Sequence, residues 1–147
     1  PNSAIAWMYL AQYYMIFDPG SSEANQAVAT LLKLDPIGMW SAAAPTGLAV
    51  SAYQLLRQPQ LLDDALASAA AAKQLGPRLW VNHGQECRAL LWKGHLAEAI
   101  AACERAVEYS EGSHENDAAL AVDYTVAGQR EKTLEMLHRM ERNFTRN

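Results

Sequence analysis

Phenylalanine is nearly missing from this chain, with 2 among 147 residues, and cysteine is as scarce at 2. Two cysteines are too few for the disulfide framework of a small secreted domain. No segment alternates β-branched and polar residues over the length of a strand, which argues against a sheet. HExxH and paired CxxC motifs are missing, and so is a glycine-rich phosphate loop. Pro1 to Ser3 carries neither a charged n-region nor a cleavage pattern, so no signal peptide is read there. Unpaired cysteines and no leader make a reducing cytoplasm the expected compartment. Charge is also missing from Pro36 to Leu56. That length reaches across a bilayer, but Ser41, Pro45, Thr46, Gly47, Ser51, Tyr53 and Gln54 leave it weakly hydrophobic. A buried central helix is expected there rather than a membrane span.

What the chain does hold is alanine, 27 residues of it within a 50% apolar composition. Alanine is the best helix former and leaves little bulk between helices, so many closely packed helices are expected. The length suits one domain with a sizeable core. A net charge of -4 disfavours nonspecific nucleic-acid binding, which depends on neutralising phosphates. The last segment, from Arg130 to Asn147, mixes Arg130, Lys132, Arg139, Arg142 and Arg146 with Glu131, Glu135 and Glu141. It reads as a solvated helix face.

A period runs through the chain. Ala65, Ala99 and Thr133 are spaced by 34, as are Ala72, Ala106 and Met140. Gly94 and Gly128 repeat the interval, with Gln60 at the corresponding earlier place. Trp7, Leu10, Ala11 and Tyr14, then Ala24, Val28 and a closing Pro36, give the fullest version of the unit. Cys87, Leu90, Gly94, Ala99, Cys103 and Ala106 give a third. Leu120, Ala121, Tyr124 and Gly128 give a fourth. The second is looser, through Leu48, Ala52, Leu55, Ala65, Ala69, Ala72 and Pro77.

This pattern resembles the tetratricopeptide repeat, a helix-turn-helix unit of 34 residues. The resemblance implies an all-α α-solenoid, a right-handed superhelix of antiparallel helix pairs. Four units are expected, at about 4–36, 37–77, 78–112 and 113–147, forming one domain over residues 1–147. Pro1 takes the closing-proline place of an earlier unit, so the chain reads as part of a longer one. Within the segment from Leu96 to Glu111, Ala99, Ala102, Cys103, Ala106 and Val107 make one apolar stripe. Gly112 is expected to end that helix and Ser113 to cap the next. The Pro-to-Pro distance grows from 35 to 41 between Pro36 and Pro77. A longer first helix in the second unit, kinked near Pro45 and extended through Met39 and Trp40, accounts for the excess. A loop insertion is the competing reading.

The residue types that carry chemistry fall on this frame. Cys87 and Cys103 occupy core positions, where free cysteine packs as a small hydrophobe. His83 takes the tryptophan place of its unit, and His95 follows the turn glycine. His83 and Cys87 share a helix face, but nothing completes a metal site or a nucleophile with its orienting group. No catalytic residue, metal site or cofactor is expected, and the chain is not read as an enzyme.

Function is implied by the resemblance. Such superhelices present a groove built from their first helices to a peptide or partner protein. Groove candidates are Met8, Tyr9, Gln12 and Ile16, then Val50, Tyr53 and Arg57, then Gln85, Arg88 and Trp92, with Val122 and Val126 in the fourth unit. Arg57 and Arg88 would take a carboxylate or phosphate. The lysine–asparagine carboxylate clamp of some family members is absent, since Met8, Gln12, Val50, Val81 and Gln85 stand there. A protein- or peptide-binding scaffold is the leading expectation. The alternative is a ligand-sensing or regulatory domain of a larger bacterial regulator joined to a DNA-binding or catalytic domain. An enzyme comes last. The expected partner is a protein or peptide, with possible self-association through the N-terminal end, no direct nucleic acid and no membrane span.

Overall fold

The structure, a computed structural model, describes residues 3–111 and 113–144. Pro1, Gly112 and Arg146, to which the sequence assigns a closing proline, a helix end and part of a charged face, lie outside the described residues, as does the side chain of His114. The described residues form α-helices and turns, with no strand among them. They divide into two compact units, residues 1–77 and 78–147, each holding two helix pairs.

The first unit contains α1 (Ala4–Phe17), α2 (Ser22–Leu34), α3 (Met39–Leu56) and α4 (Gln60–Leu75). Helices α1 and α2 pack together, α3 packs on α4, and α3 also touches α1 and α2. Serines start the first two helices. Ser3 accepts from the Ala6 amide at 3.4 Å and Ser21 from the Ala24 amide at 3.1 Å, each satisfying one orphan donor. Ala11, Ala24 and Ala27 are buried where α1 meets α2, and Val28, Leu31, Ala44 and Leu48 complete that core under Trp7 and Tyr14. The longer first helix expected in the second pair is present, because α3 has 18 residues where α1 has 14 and it includes Met39 and Trp40. Pro45 lies inside it and cannot donate to the carbonyl four residues back. The uncharged stretch is a buried helix, as Ser41 to Ala44, Thr46 to Leu48, Val50 and Ala52 are enclosed. Among the described residues no helix is long and apolar enough to cross a membrane.

The second unit contains α5 (Trp80–Lys93), α6 (Leu96–Tyr109), α7 (His114–Val126) and α8 (Arg130–Phe144). Gly94 and Gly128 end α5 and α7 with φ of 82° and 70°. Each closes its helix with the same pair of hydrogen bonds: His95 N–H to Leu90 and Gly94 N–H to Leu91, then Gln129 N–H to Tyr124 and Gly128 N–H to Thr125. A side chain resists that left-handed conformation, which explains glycine at this interval. The second pair departs from it. Gln60 opens α4, and the left-handed residue is Arg57, three positions before the place the period indicates. The apolar stripe of α6 is as read, with Ala99, Ala102, Cys103, Ala106 and Val107 buried. Ser113 does take the N-cap position of α7, but its side chain makes no capping bond.

The cysteines require a correction. Both are buried as expected, but they are not free: Cys87 on α5 and Cys103 on α6 are joined in a disulfide. The cause is the repeat itself. Small residues at the crossing let the two helices approach until the Cα atoms of Cys87 and Cys103 are 5.3 Å apart, a span that a disulfide bridges.

Candidate binding surface on the first helices

The residues expected to line a groove sit on first helices or at their ends. In the first unit Tyr9 and Ile16 are exposed and Met8 and Gln12 are half-buried on α1, whereas Val50 on α3 is fully buried and does not line a groove. Tyr53 lies near the end of α3, and the Arg57 guanidinium stands 5.8 Å from its ring centre. Arg57 is the left-handed residue closing that helix, so its direction is set by the turn rather than by a helical face. In the second unit Gln85, Arg88 and Trp92 follow one side of α5. Arg88 Nη1 donates to Gln85 Oε1 at 3.4 Å. Desolvation lowers the Arg88 pKa and Glu115 on α7 opposes it. The guanidinium stays charged, as arginine does throughout proteins. Trp92 is 42% exposed. The Tyr53–Arg57 and Arg88–Trp92 pairs belong to different compact units.

Helix α7 continues the α5 surface. Val122 and Val126 hold the positions of Arg88 and Trp92 one repeat later, and both are more than half exposed. Beside them a shallow apolar depression of about 370 Å³ opens between α7 and α8, floored by Ala121, Thr125, Leu137 and Met140. This part of the unit therefore offers one arginine, one indole and a run of aliphatic surface.

Behind that surface the second unit holds a set of buried polar groups. His83 is enclosed, accepts from Arg105 Nε at 3.4 Å and meets the Tyr109 ring edge-on at 5.3 Å. Arg105 also approaches Glu86 at 3.9 Å. Asp117, fully buried, pairs with Arg139 Nε at 3.2 Å and takes the tryptophan place of its repeat. Tyr124 donates to Glu104 Oε1 at 2.7 Å, and burial together with that carboxylate pushes its phenol pKa up. Asp123 lies 3.0 Å from Cys87 Sγ, and burial raises its carboxyl pKa to about 6. Cys87, Cys103 and Asp123 gather within 4.8 Å, but the two sulfurs are bonded to each other rather than held as thiolates. One signal for these groups was legible. Asp117 and Asp123 fall on register positions whose other occupants include Trp7, His83, Tyr13 and Ala89, so two carboxyls could be placed against a helix-packing face.

No protein-family model and no curated protein matches the sequence. Solved structures do match the fold. TTC0263, a thermophilic TPR protein in Thermus thermophilus, superposes with a TM-score of 0.80 at 20% identity over 94% of this chain and 72% of its own. MamA gives 0.67 at 17% identity, over 99% and 81%. Human IFIT1, solved as a dimer with PPP-AAAA, gives 0.57 at 17% identity over 93% of this chain and 39% of its own. The fold is that of tetratricopeptide-repeat proteins, a helical-repeat α-solenoid.

Proposed function

We propose that the chain is a protein-binding scaffold and that it takes an extended peptide on the face shared by α5 and α7. The observation that carries this is the register match of Arg88 with Val122 and of Trp92 with Val126, all exposed on adjacent first helices. Arginine and aromatic residues most often dominate binding energy, and the apolar depression beside them accepts an aliphatic side chain. The ligand chemistry is therefore a peptide with a carboxylate placed near apolar residues. IFIT1 was solved with PPP-AAAA, but a net charge of -4 gives this chain little attraction for a polyphosphate strand. The cytoplasmic expectation rested in part on unpaired cysteines, and the Cys87–Cys103 bond removes that support.

The test is a peptide-display selection followed by titration calorimetry with the selected peptides. Arg88→Ala and Val126→Asp should each weaken binding by about tenfold or more while the helical signal is unchanged. Selected peptides that bind both variants at wild-type affinity would refute the assignment.

A second reading has its own observation. Helix α1 carries no charge and exposes Ile5, Tyr9, Tyr13, Ile16 and Phe17. On α7 the positions that correspond to Ala6, Leu10 and Tyr13 are Asn116, Leu120 and Asp123, all buried where that helix packs on the preceding pair. The face of α1 is thus of the kind that receives another helix pair, and self-association through it follows from its apolar area.

A further inference from the structure

The disulfide and the buried carboxyl beside it form an unusual group. Asp123 Oδ2 is 3.0 Å from Cys87 Sγ, a hydrogen-bond distance. A disulfide sulfur carries no hydrogen, so in the bonded form it cannot donate to a carboxylate. Asp123 is 1% exposed, which leaves its carboxyl little access to water. A buried carboxylate with few donors is unfavourable, so the group holds its proton to higher pH than a free aspartate does.

Several charged groups on the surrounding helices are engaged elsewhere. On α5, Glu86 approaches Arg105 and Arg88 bonds Gln85. On α6, Glu104 accepts from Tyr124 and Arg105 donates to His83. On α8, Arg139 pairs with Asp117 and Lys132 lies over the Tyr124 ring at 4.9 Å. Within α7 itself, Glu115 acts on Arg88. Burial alone accounts for the raised carboxyl of Asp123, with a pKa of about 6.

We propose that Cys87, Cys103 and Asp123 are a redox-linked proton site: reduction of the disulfide gives Asp123 the thiol donor it lacks, and the carboxyl yields its proton. The electrons come from a small dithiol. Its thiolate attacks one sulfur and breaks the Cys87–Cys103 bond, and its second thiol displaces the protein thiol and closes the reductant's own disulfide. Both cysteine sulfurs end as thiols. Cys87 S–H then donates to the ionised Asp123 carboxylate, and one proton leaves for solvent. Where Asp123 is already ionised before reduction, no proton is released. Since Cys87 and Cys103 are 1% and 0% exposed, exchange proceeds through local opening of the helix pair. The consequence for the fold is a junction whose polar contact between α5 and α7 is completed by reduction.

The test equilibrates the whole chain with mixtures of reduced and oxidised dithiothreitol from pH 4.5 to 7.5. Equilibrium is approached from both directions, and the thiol and disulfide forms are counted by mass after acid quench. One released proton makes the reduced-to-oxidised ratio rise with pH, by at most tenfold per pH unit between the two carboxyl midpoints, and level off above about pH 6. Asp123→Asn should flatten that dependence. If the variant folds poorly, the carboxyl carbon shift of wild-type Asp123 supplies the same information, titrating at lower pH in the reduced protein than in the oxidised one. A ratio independent of pH in the wild type, or one titration midpoint shared by both forms, overturns the proposal. So does loss of helical signal on reduction, or zinc retained stoichiometrically by the reduced protein.

Discussion

Replacing Ala99 with leucine tests the packing that makes the repeat. Ala99 is fully enclosed on α6 at its crossing with α5, and its counterpart Ala65 on α4 is enclosed as well. A leucine there adds three heavy atoms where the helices already touch, and inserting methylenes into a packed core costs about 1–3 kcal/mol. Intrinsic propensity does not confuse the result, because alanine and leucine are the two best helix formers. Ala97→Leu, on the exposed side of the same helix, is the matched control. For a unit of this size each kcal/mol shifts the midpoint by roughly 4–8 °C, so Ala99→Leu should melt about 5–20 °C lower and Ala97→Leu close to wild type. Thermal and urea unfolding followed by circular dichroism read both. Because residues 1–77 and 78–147 are separate compact units, Ala99→Leu should act on the second and Ala65→Leu on the first. Equal midpoints for Ala97→Leu and Ala99→Leu would refute the register on which every other assignment depends.

The disulfide form should lose stability as pH rises from about 4 to 6. The folded state there holds a proton on Asp123 that the unfolded chain has already released, and a carboxyl raised to about 6 corresponds to at most about 3 kcal/mol. Asp123→Asn should remove that slope, as urea midpoints across the range would show. Native protein should show no thiol titre until reductant is added, whereas one or two free thiols in native, unreduced protein would contradict the bond. Trp92→Ala should cost less than a buried tryptophan does, about 1–2 kcal/mol, because the ring is 42% exposed. A larger loss would make Trp92 a packing residue. Tyr13→Lys on α1 should abolish self-association in sedimentation, and a wild type that stays monomeric at high concentration would count against that reading.

The fold was legible because its determinants are local and periodic. Alanine at a fixed interval, glycine at the turns and proline at the pair ends are visible without coordinates. Each reports a backbone or packing requirement: Gly94 and Gly128 a left-handed residue, Ala65 and Ala99 a close crossing. The length of α3 could be read from proline spacing for the same reason. The turn at Arg57 could not, because the second pair connects through three residues where the third uses two. The disulfide was hidden because Cys87 and Cys103 lie on different helices, and only the crossing geometry brings them together. The buried carboxyls show the same limit. Sequence places Asp117 and Asp123 on a packing face, but their partners, Arg139 and Cys87, are chosen in three dimensions.

Partner binding on the exposed face of α5 and α7, as proposed, is tested most directly by crosslinking. A photo-crosslinking residue placed at Val126 reports on that face, and one at Glu108, exposed on α6, reports on a second helix. With a selected peptide at saturating concentration, the account predicts a crosslink from position 126, lost in Arg88→Ala, and none from position 108. Crosslinking from position 108 with none from position 126 would contradict it.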